Sequence, residues 1–110
     1  MQPKDEIPPG TLYMLILRTL ARGRELHGYE IANSIQQISG DVLQVEEGSL
    51  YPALQRMLLK GWVTAQWGRT DENRRARYYR LTSTGRKQLE IELSQFERVM
   101  AAIGRVLRTA

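Results

Sequence analysis

The 110-residue sequence has no cysteine and only one histidine and one phenylalanine. The lack of cysteine excludes disulfides, thiolate metal sites and cysteine nucleophiles, and it is compatible with a reducing cytosol. The single histidine, His27, has no acidic cluster near it that would complete a metal site. We therefore predict no metal and no cofactor, and we interpret His27 as a turn residue before Gly28.

Motifs for catalysis and for membrane insertion are also missing. The sequence has no glycine-rich phosphate loop and no convincing Ser/His/Asp arrangement, so we do not expect an enzyme. The longest apolar run, Leu12 to Leu17, is far too short to span a bilayer, and no signal-peptide pattern opens the chain. We expect a soluble, cytoplasmic protein without membrane contact.

Positive charge is concentrated in one segment. Residues 60–81 carry six Lys/Arg against two Asp/Glu, whereas residues 1–59 carry five against seven. Five arginines lie between Arg69 and Arg80. A solvated charged loop would explain such a run. A cationic surface for nucleic-acid phosphates would explain it as well, because counterion release drives that kind of binding.

Turn residues and apolar periodicity divide the chain into elements. Helices are predicted over 9–22, 28–39 and 48–60. Residues 62–81 predict a two-stranded hairpin that turns at Asp71, Glu72 and Asn73, and Trp62 and Trp67 are interpreted as core and sheet-packing aromatics. This order predicts a mainly α fold with a small two-stranded β-hairpin, a winged helix-turn-helix DNA-binding domain over 1–81.

The first predicted helix is apolar nearly all round, from Leu12 to Leu17. Such a helix must be covered on several sides. A partner chain would supply the second cover in so small a domain, and a central position in the chain's own core would explain the pattern almost as well.

The last segment, 82–110, has the clearest periodicity in the chain. Apolar residues there recur at alternating spacings of four and three, which is a heptad seam. The seam residues are Leu89, Leu93, Phe96, Met100, Ile103 and Leu107. We predict a long C-terminal dimerisation helix that forms a homodimer, and packing of this helix on its own domain is the alternative.

Several segments together resemble the PadR-like transcriptional regulators, a family of bacterial winged-helix repressors. They are Pro-Gly-Thr-Leu-Tyr-Met-Leu-Ile-Leu at 9–17, His-Gly-Tyr-Glu-Ile at 27–31, Glu-Gly-Ser-Leu-Tyr-Pro-Ala-Leu at 47–54, and Arg-Tyr-Tyr-Arg-Leu-Thr-Ser-Thr-Gly at 77–85. The resemblance implies a homodimer joined through its C-terminal and first helices, with DNA bound by the third helix and the wing. This chain resembles the short branch, with a single C-terminal helix.

Eight residues are the candidate DNA contacts. In the motif that opens the third helix stand Ser49, Tyr51 and Pro52; Gln55 and Arg56 follow on its polar side; and Arg74, Arg75 and Arg77 lie in the wing. Gln and Arg can read base edges, whereas phosphate contacts need only charge and reach. Tyr51 could instead be a core-edge aromatic, Gln55 and Arg56 merely solvent-exposed, and Arg80 structural.

These observations predict a dimeric repressor that binds a pseudo-palindromic operator in double-stranded DNA. A small hydrophobic effector bound at Phe96 and Met100 is a further hypothesis. Two other functions remain open: a winged-helix module that binds an acidic protein surface, and a DNA-binding protein without an effector. The sequence does not specify the operator, the regulated genes, the effector or the sign of regulation.

Overall fold

A computed structural model gives the fold and describes residues 7–8 and 10–109. This part of the chain contains four α-helices and three β-strands. They are α1 (Leu12–Leu20), β1 (Leu26–His27), α2 (Gly28–Ile38), α3 (Glu47–Leu59), β2 (Val63–Arg69), β3 (Arg75–Leu81) and α4 (Ser83–Arg108). The start expected at residue 9 and the end expected at residue 110 lie outside the described residues. The predicted fold class, a mainly α winged helix, is confirmed.

The predicted two-stranded hairpin is present as β2 and β3, and the sheet has a third strand that was not predicted. The three antiparallel strands lie in the order β1, β3, β2, and Leu26 and His27 pair with Tyr79 and Tyr78. A strand of two residues is too short to show the alternation by which strands are recognised. The segment was therefore interpreted as a turn. Its pairing ties the start of α2 to the wing.

Helix α1 lies at the centre of the chain's own core. Ile16, Leu17 and Leu20 are fully buried there, together with residues of α2 and α3. The partner chain expected as a second cover is therefore not needed for these side chains. The fully buried residues of α2 and α3 are Ile31, Leu50, Leu54 and Met57.

His27 caps α2. Its Nδ1 accepts a hydrogen bond from the Glu30 backbone N–H at 3.4 Å, and the Glu30 carboxylate accepts one from the His27 N–H at 3.1 Å. This reciprocal arrangement satisfies two donors that a helix start leaves unpaired. His27 thus has a structural task at the junction of β1 and α2.

The start of α4 is held against the link between α3 and β2. Thr82 Oγ1 accepts a hydrogen bond from the Gly85 N–H at 3.0 Å and lies 2.7 Å from the Gly61 carbonyl oxygen, to which it can donate. A Cβ on Gly85 would collide with the Trp62 carbonyl oxygen. Only glycine allows α4 to approach so closely.

The expected seam on α4 divides into two parts. Leu89 is only 6% exposed and belongs to the core of its own chain, and Leu93 packs against that core. Leu89 therefore has little surface left to offer a partner, and its place in a dimer interface stays a prediction. Beyond Leu93 the seam residues are exposed.

Among the described residues, no helix is long and apolar enough to cross a membrane.

Candidate nucleic-acid interface

The candidate residues of α3 all lie on its solvent side. The opposite side is buried, through Leu50, Ala53, Leu54 and Met57. The exposed residues are Ser49, Tyr51, Pro52, Gln55 and Arg56. At 3.6 residues per turn, Tyr51 borders one edge of this face, Ser49 and Arg56 border the other, and Pro52 and Gln55 lie between.

Tyr51 is fixed in place by the start of α2. Its ring touches Gly28 so closely that a Cβ there would stand 2.8 Å from the ring and from its hydroxyl oxygen. Tyr51 is nevertheless 47% exposed. Tyr51 is therefore both packed against α2 and accessible to a partner. It can be a core-edge aromatic and a contact residue at the same time.

The turn of the wing is held by its own backbone and side chains. Thr70 and Arg74 are joined by a backbone hydrogen bond of 2.8 Å and by a second from the Arg74 N–H to Thr70 Oγ1 at 3.2 Å. Asn73 has φ 62°, a left-handed conformation that asparagine tolerates. The Tyr78 hydroxyl donates to the Arg69 carbonyl at 2.9 Å. These contacts give the wing a defined shape.

One face of the wing carries most of its arginines. Strand pairing sets Trp67 opposite Arg77 and Arg69 opposite Arg75, and directly paired residues share a face. The guanidinium carbon of Arg75 lies 4.4 Å from the centre of the Trp67 ring, and that of Arg77 lies 5.9 Å from it. Trp67 is 58% exposed. Trp67 is therefore not a core aromatic, and that part of its interpretation was wrong.

The other wing arginines have acidic partners. Arg80 Nη2 lies 2.8 Å from Glu25 Oε1, which agrees with a structural role for Arg80. Arg74 Nε lies 3.8 Å from Glu72 Oε2, and both side chains are almost fully in solvent. Among the described residues, Arg75 and Arg77 form no ion pair. No carboxylate within the described ranges, 7–8 and 10–109, therefore pairs with either charge.

A groove of about 430 Å³ joins these parts. Tyr29 and Tyr51 line it from the helices, and Trp67, Arg75 and Arg77 line it from the wing. Arg74 also borders it. The structure thus brings Tyr51 together with the predicted wing arginines, whereas Ser49, Pro52 and Arg56 line a second groove against the start of α1.

Two tyrosines beneath the wing face keep their protons. Burial raises the pKa of the Tyr79 hydroxyl above its usual 10.0, and the nearby charge of Arg77 partly opposes this shift. The pKa of Tyr78 is also raised, by desolvation and then by the charges of Glu30 and Asp71. Both hydroxyls therefore remain neutral near pH 7 and do not offset the positive charge of the arginines.

Three residues on the wing face or beside the groove are not among the eight predicted DNA contacts, although Arg69 belongs to the predicted arginine run. Trp67 and Arg69 share the face of Arg75 and Arg77, and Tyr29 is largely exposed on the first turn of α2 beside the groove. The alternation of residues along a hairpin centred on Asp71 to Asn73 would have identified Trp67 and Arg69. Nothing in the sequence indicated that Tyr29 lies near the wing. Over the described residues, no cluster of His, Asp and Glu side chains could hold a metal ion.

Comparison with known proteins identifies the family. Residues 16–91 match the model of the "Transcriptional regulator PadR-like family". The chain is similar to a solved transcriptional regulator from Clostridium thermocellum, with TM-score 0.79 and 27% identity over 87% of this chain and 92% of that one.

Two further relatives extend the comparison. One is Bacillus subtilis PadR, solved in complex with operator DNA, with TM-score 0.66 and 26% identity over 76% of this chain and 47% of that one. The other is uncharacterised protein X of Lysinibacillus sphaericus, 29% identical over 91% of each chain. The match to the family model, which extends from the middle of α1 into α4, confirms the resemblance: this chain belongs to the PadR-like family of transcriptional regulators.

Proposed function

We propose that the chain binds duplex DNA as a homodimer and regulates transcription by occupying an operator. The observation that carries this proposal is the groove in which the exposed edge of α3 meets a wing face with unpaired arginine charge. Phosphates would supply the missing negative charge. The operator complex of Bacillus subtilis PadR supports the same use of the fold here.

In the proposed complex, the exposed face of α3 enters the major groove. Gln55, at the middle of the exposed face, and Arg56, at its edge, would contact base edges, and Ser49, Tyr51 and Pro52 would lie near the backbone. The wing arginines would follow the phosphates or the adjacent minor groove. Affinity then depends mainly on the wing, and sequence preference mainly on α3.

The end of α4 supports the dimer. Six large apolar residues beyond Leu93 are exposed on this helix, and an exposed stripe of this kind is typical of a partner interface. They are Phe96, Val99, Met100, Ile103, Val106 and Leu107. A two-fold dimer would present two wings to a pseudo-palindromic site.

Repression would follow from occlusion of a promoter, and release from an effector that favours one spacing of the wings. Phe96 and Met100 remain the proposed effector site, because both are partly exposed on the stripe that the dimer would cover. Titration with planar aromatic compounds tests this part. If neither DNA affinity nor intrinsic fluorescence changes, the effector hypothesis is wrong and regulation by protein abundance is the remaining explanation.

The test of DNA binding is affinity for duplex DNA from the region upstream of the coding sequence, measured over a salt series. We expect log affinity to fall steeply with log salt, because each neutralised phosphate releases about 0.9 of a counterion. Random-sequence duplex is the control for specificity. Flat or absent binding would favour the alternative of a module that binds an acidic protein.

A further inference from the structure

The wing arginines differ in how they are held. Arg74 and Arg80 face carboxylates, at 3.8 Å and 2.8 Å. Arg75 and Arg77 instead lie over the ring of Trp67, at 4.4 Å and 5.9 Å from its centre. A carboxylate neutralises the cation that it orients. An aromatic ring orients a cation and leaves its charge intact.

Burial does not explain Trp67. Its side chain is more than half exposed, and the strand residues nearer the core on the same face, Ala65 and Val63, are smaller and more buried. A cation–π contact at an exposed position stabilises a fold only weakly. The arrangement therefore adds little to folding, but it restricts two long side chains that would otherwise sample many rotamers.

We propose that Trp67 is a positioning residue for DNA binding. Its ring holds Arg75 and Arg77, still fully charged, on the wing face that borders the groove lined by Tyr29 and Tyr51. This inference rests on the proposed function. Side chains that are ordered before binding lose less entropy when they contact phosphates. Trp67 should therefore raise affinity for any duplex sequence without itself adding a charge contact.

Loss of the ring should weaken DNA binding with a distinctive pattern. We expect Trp67→Leu to reduce affinity about fivefold, equally for upstream and random duplexes, given the usual cost of ordering rotamer-rich side chains. The slope of log affinity against log salt should not change, since every cation remains. Trp67→Phe keeps an aromatic face and should restore most of the affinity. Thermal unfolding of both variants checks that they fold.

A measurement without DNA tests the contact between the arginines and the Trp67 ring directly. The chain has two tryptophans, so Trp67 is the only one in a Trp62→Phe background. In that background, Arg75→Gln should increase quenching of Trp67 fluorescence by acrylamide. Arg74→Gln is the matched control and should leave quenching unchanged, because Arg74 pairs with Glu72 instead.

The outcomes separate this proposal from the proposed function. If the wild-type protein binds DNA steeply with salt but folded Trp67→Leu binds equally well, or Trp67→Phe fails to restore affinity, the positioning role is wrong and the DNA-binding function stands. Equal quenching in the two arginine variants would also overturn it. If the wild-type protein binds no duplex at all, both proposals fail.

Discussion

The wing and the second half of α4 both lie outside the core, and they differ in what they expose. The wing exposes cations: Arg75 lies over the Trp67 ring, and the Thr70 and Tyr78 hydroxyls hydrogen-bond the backbone of Arg74 and Arg69. The second half of α4 exposes apolar side chains, and Leu107 there is 78% exposed. The wing would be complemented by negative charge, and the second half of α4 by another apolar surface.

This difference indicates which partner each surface is suited to meet. A cationic surface is complemented by an anionic partner, and the phosphates of duplex DNA are such a partner. An apolar stripe on a helix needs another apolar surface, and a second copy of the same stripe is the simplest one under two-fold symmetry. Changes confined to one region should therefore affect one partner first.

The largest effect is expected from a charge in the apolar stripe. Met100→Glu would place two carboxylates in the proposed two-fold interface, at a cost on the order of several kcal/mol. Sedimentation should show monomers at concentrations where the wild-type protein is dimeric. Binding to a two-half-site duplex should weaken as well.

Arg98→Glu is the matched control, because Arg98 is exposed on the opposite side of α4. It should leave the dimer intact. An unchanged dimer in Met100→Glu would show that the interface lies elsewhere.

The next effect concerns the cations of the wing. Arg75→Ala combined with Arg77→Ala should reduce the salt slope by about two and weaken binding by about tenfold per arginine at 0.1 M salt. The dimer should persist in sedimentation. Arg74→Ala should have a smaller effect, since Glu72 already offsets that charge. Equal losses from Arg74 and Arg75 single variants would contradict the division of the wing arginines.

A smaller effect is expected where α2 supports the groove. Gly28→Ala would place a Cβ against the Tyr51 ring and force the ring to move. We expect DNA affinity to fall a few-fold while dimerisation is unchanged. The double variant Gly28→Ala with Tyr51→Ala should bind no more weakly than Tyr51→Ala alone, as double-mutant cycles of contacting residues show. Additive losses would mean that Gly28 acts independently of Tyr51.

The smallest effect concerns Glu92, on α4 where its buried and exposed halves meet. Its Oε2 is buried without a hydrogen-bond partner among the described residues, and burial raises the pKa of the carboxyl above 4.5. A raised folded-state pKa means that ionisation costs stability. Stability should therefore be greatest below the unfolded-state pKa and fall as pH rises through the folded-state pKa.

Glu92→Gln should accordingly unfold at a higher temperature than wild type at pH 7, with an advantage that shrinks as pH falls toward 4. The readout is Tm against pH, measured also in the Met100→Glu background. A less stable Glu92→Gln dimer at pH 7 would indicate that the partner subunit supplies a cation to this carboxylate.

Much of the fold follows from local signals. The periodicity of Ile31 and Ile35 and the turn around Asn73 predict α2 and the wing, because these signals depend on neighbours in sequence. The pairing of β1 with β3 and the burial of Leu89 do not follow in this way. Both depend on contacts between residues that are distant in the chain.

For the candidate site, too, some features follow from the sequence and others depend on contacts between distant residues. Charge concentration predicts Arg74, Arg75 and Arg77 as DNA contacts, and the resemblance to the PadR-like family adds the start of α3. They do not reveal that Arg74 and Arg80 have carboxylate partners or that Trp67 is exposed, because those facts depend on strand register and on the position of Glu25. The wing cations are all arginines, and the neighbouring side chains determine which of them pair with a carboxylate.

The most direct test is the salt dependence of duplex DNA binding by the wild-type protein and by Arg75→Ala, measured side by side. The DNA-binding proposal predicts a steep negative slope of log affinity against log salt, reduced by about one in the variant. A slope near zero, or equal slopes for the two proteins, would contradict it.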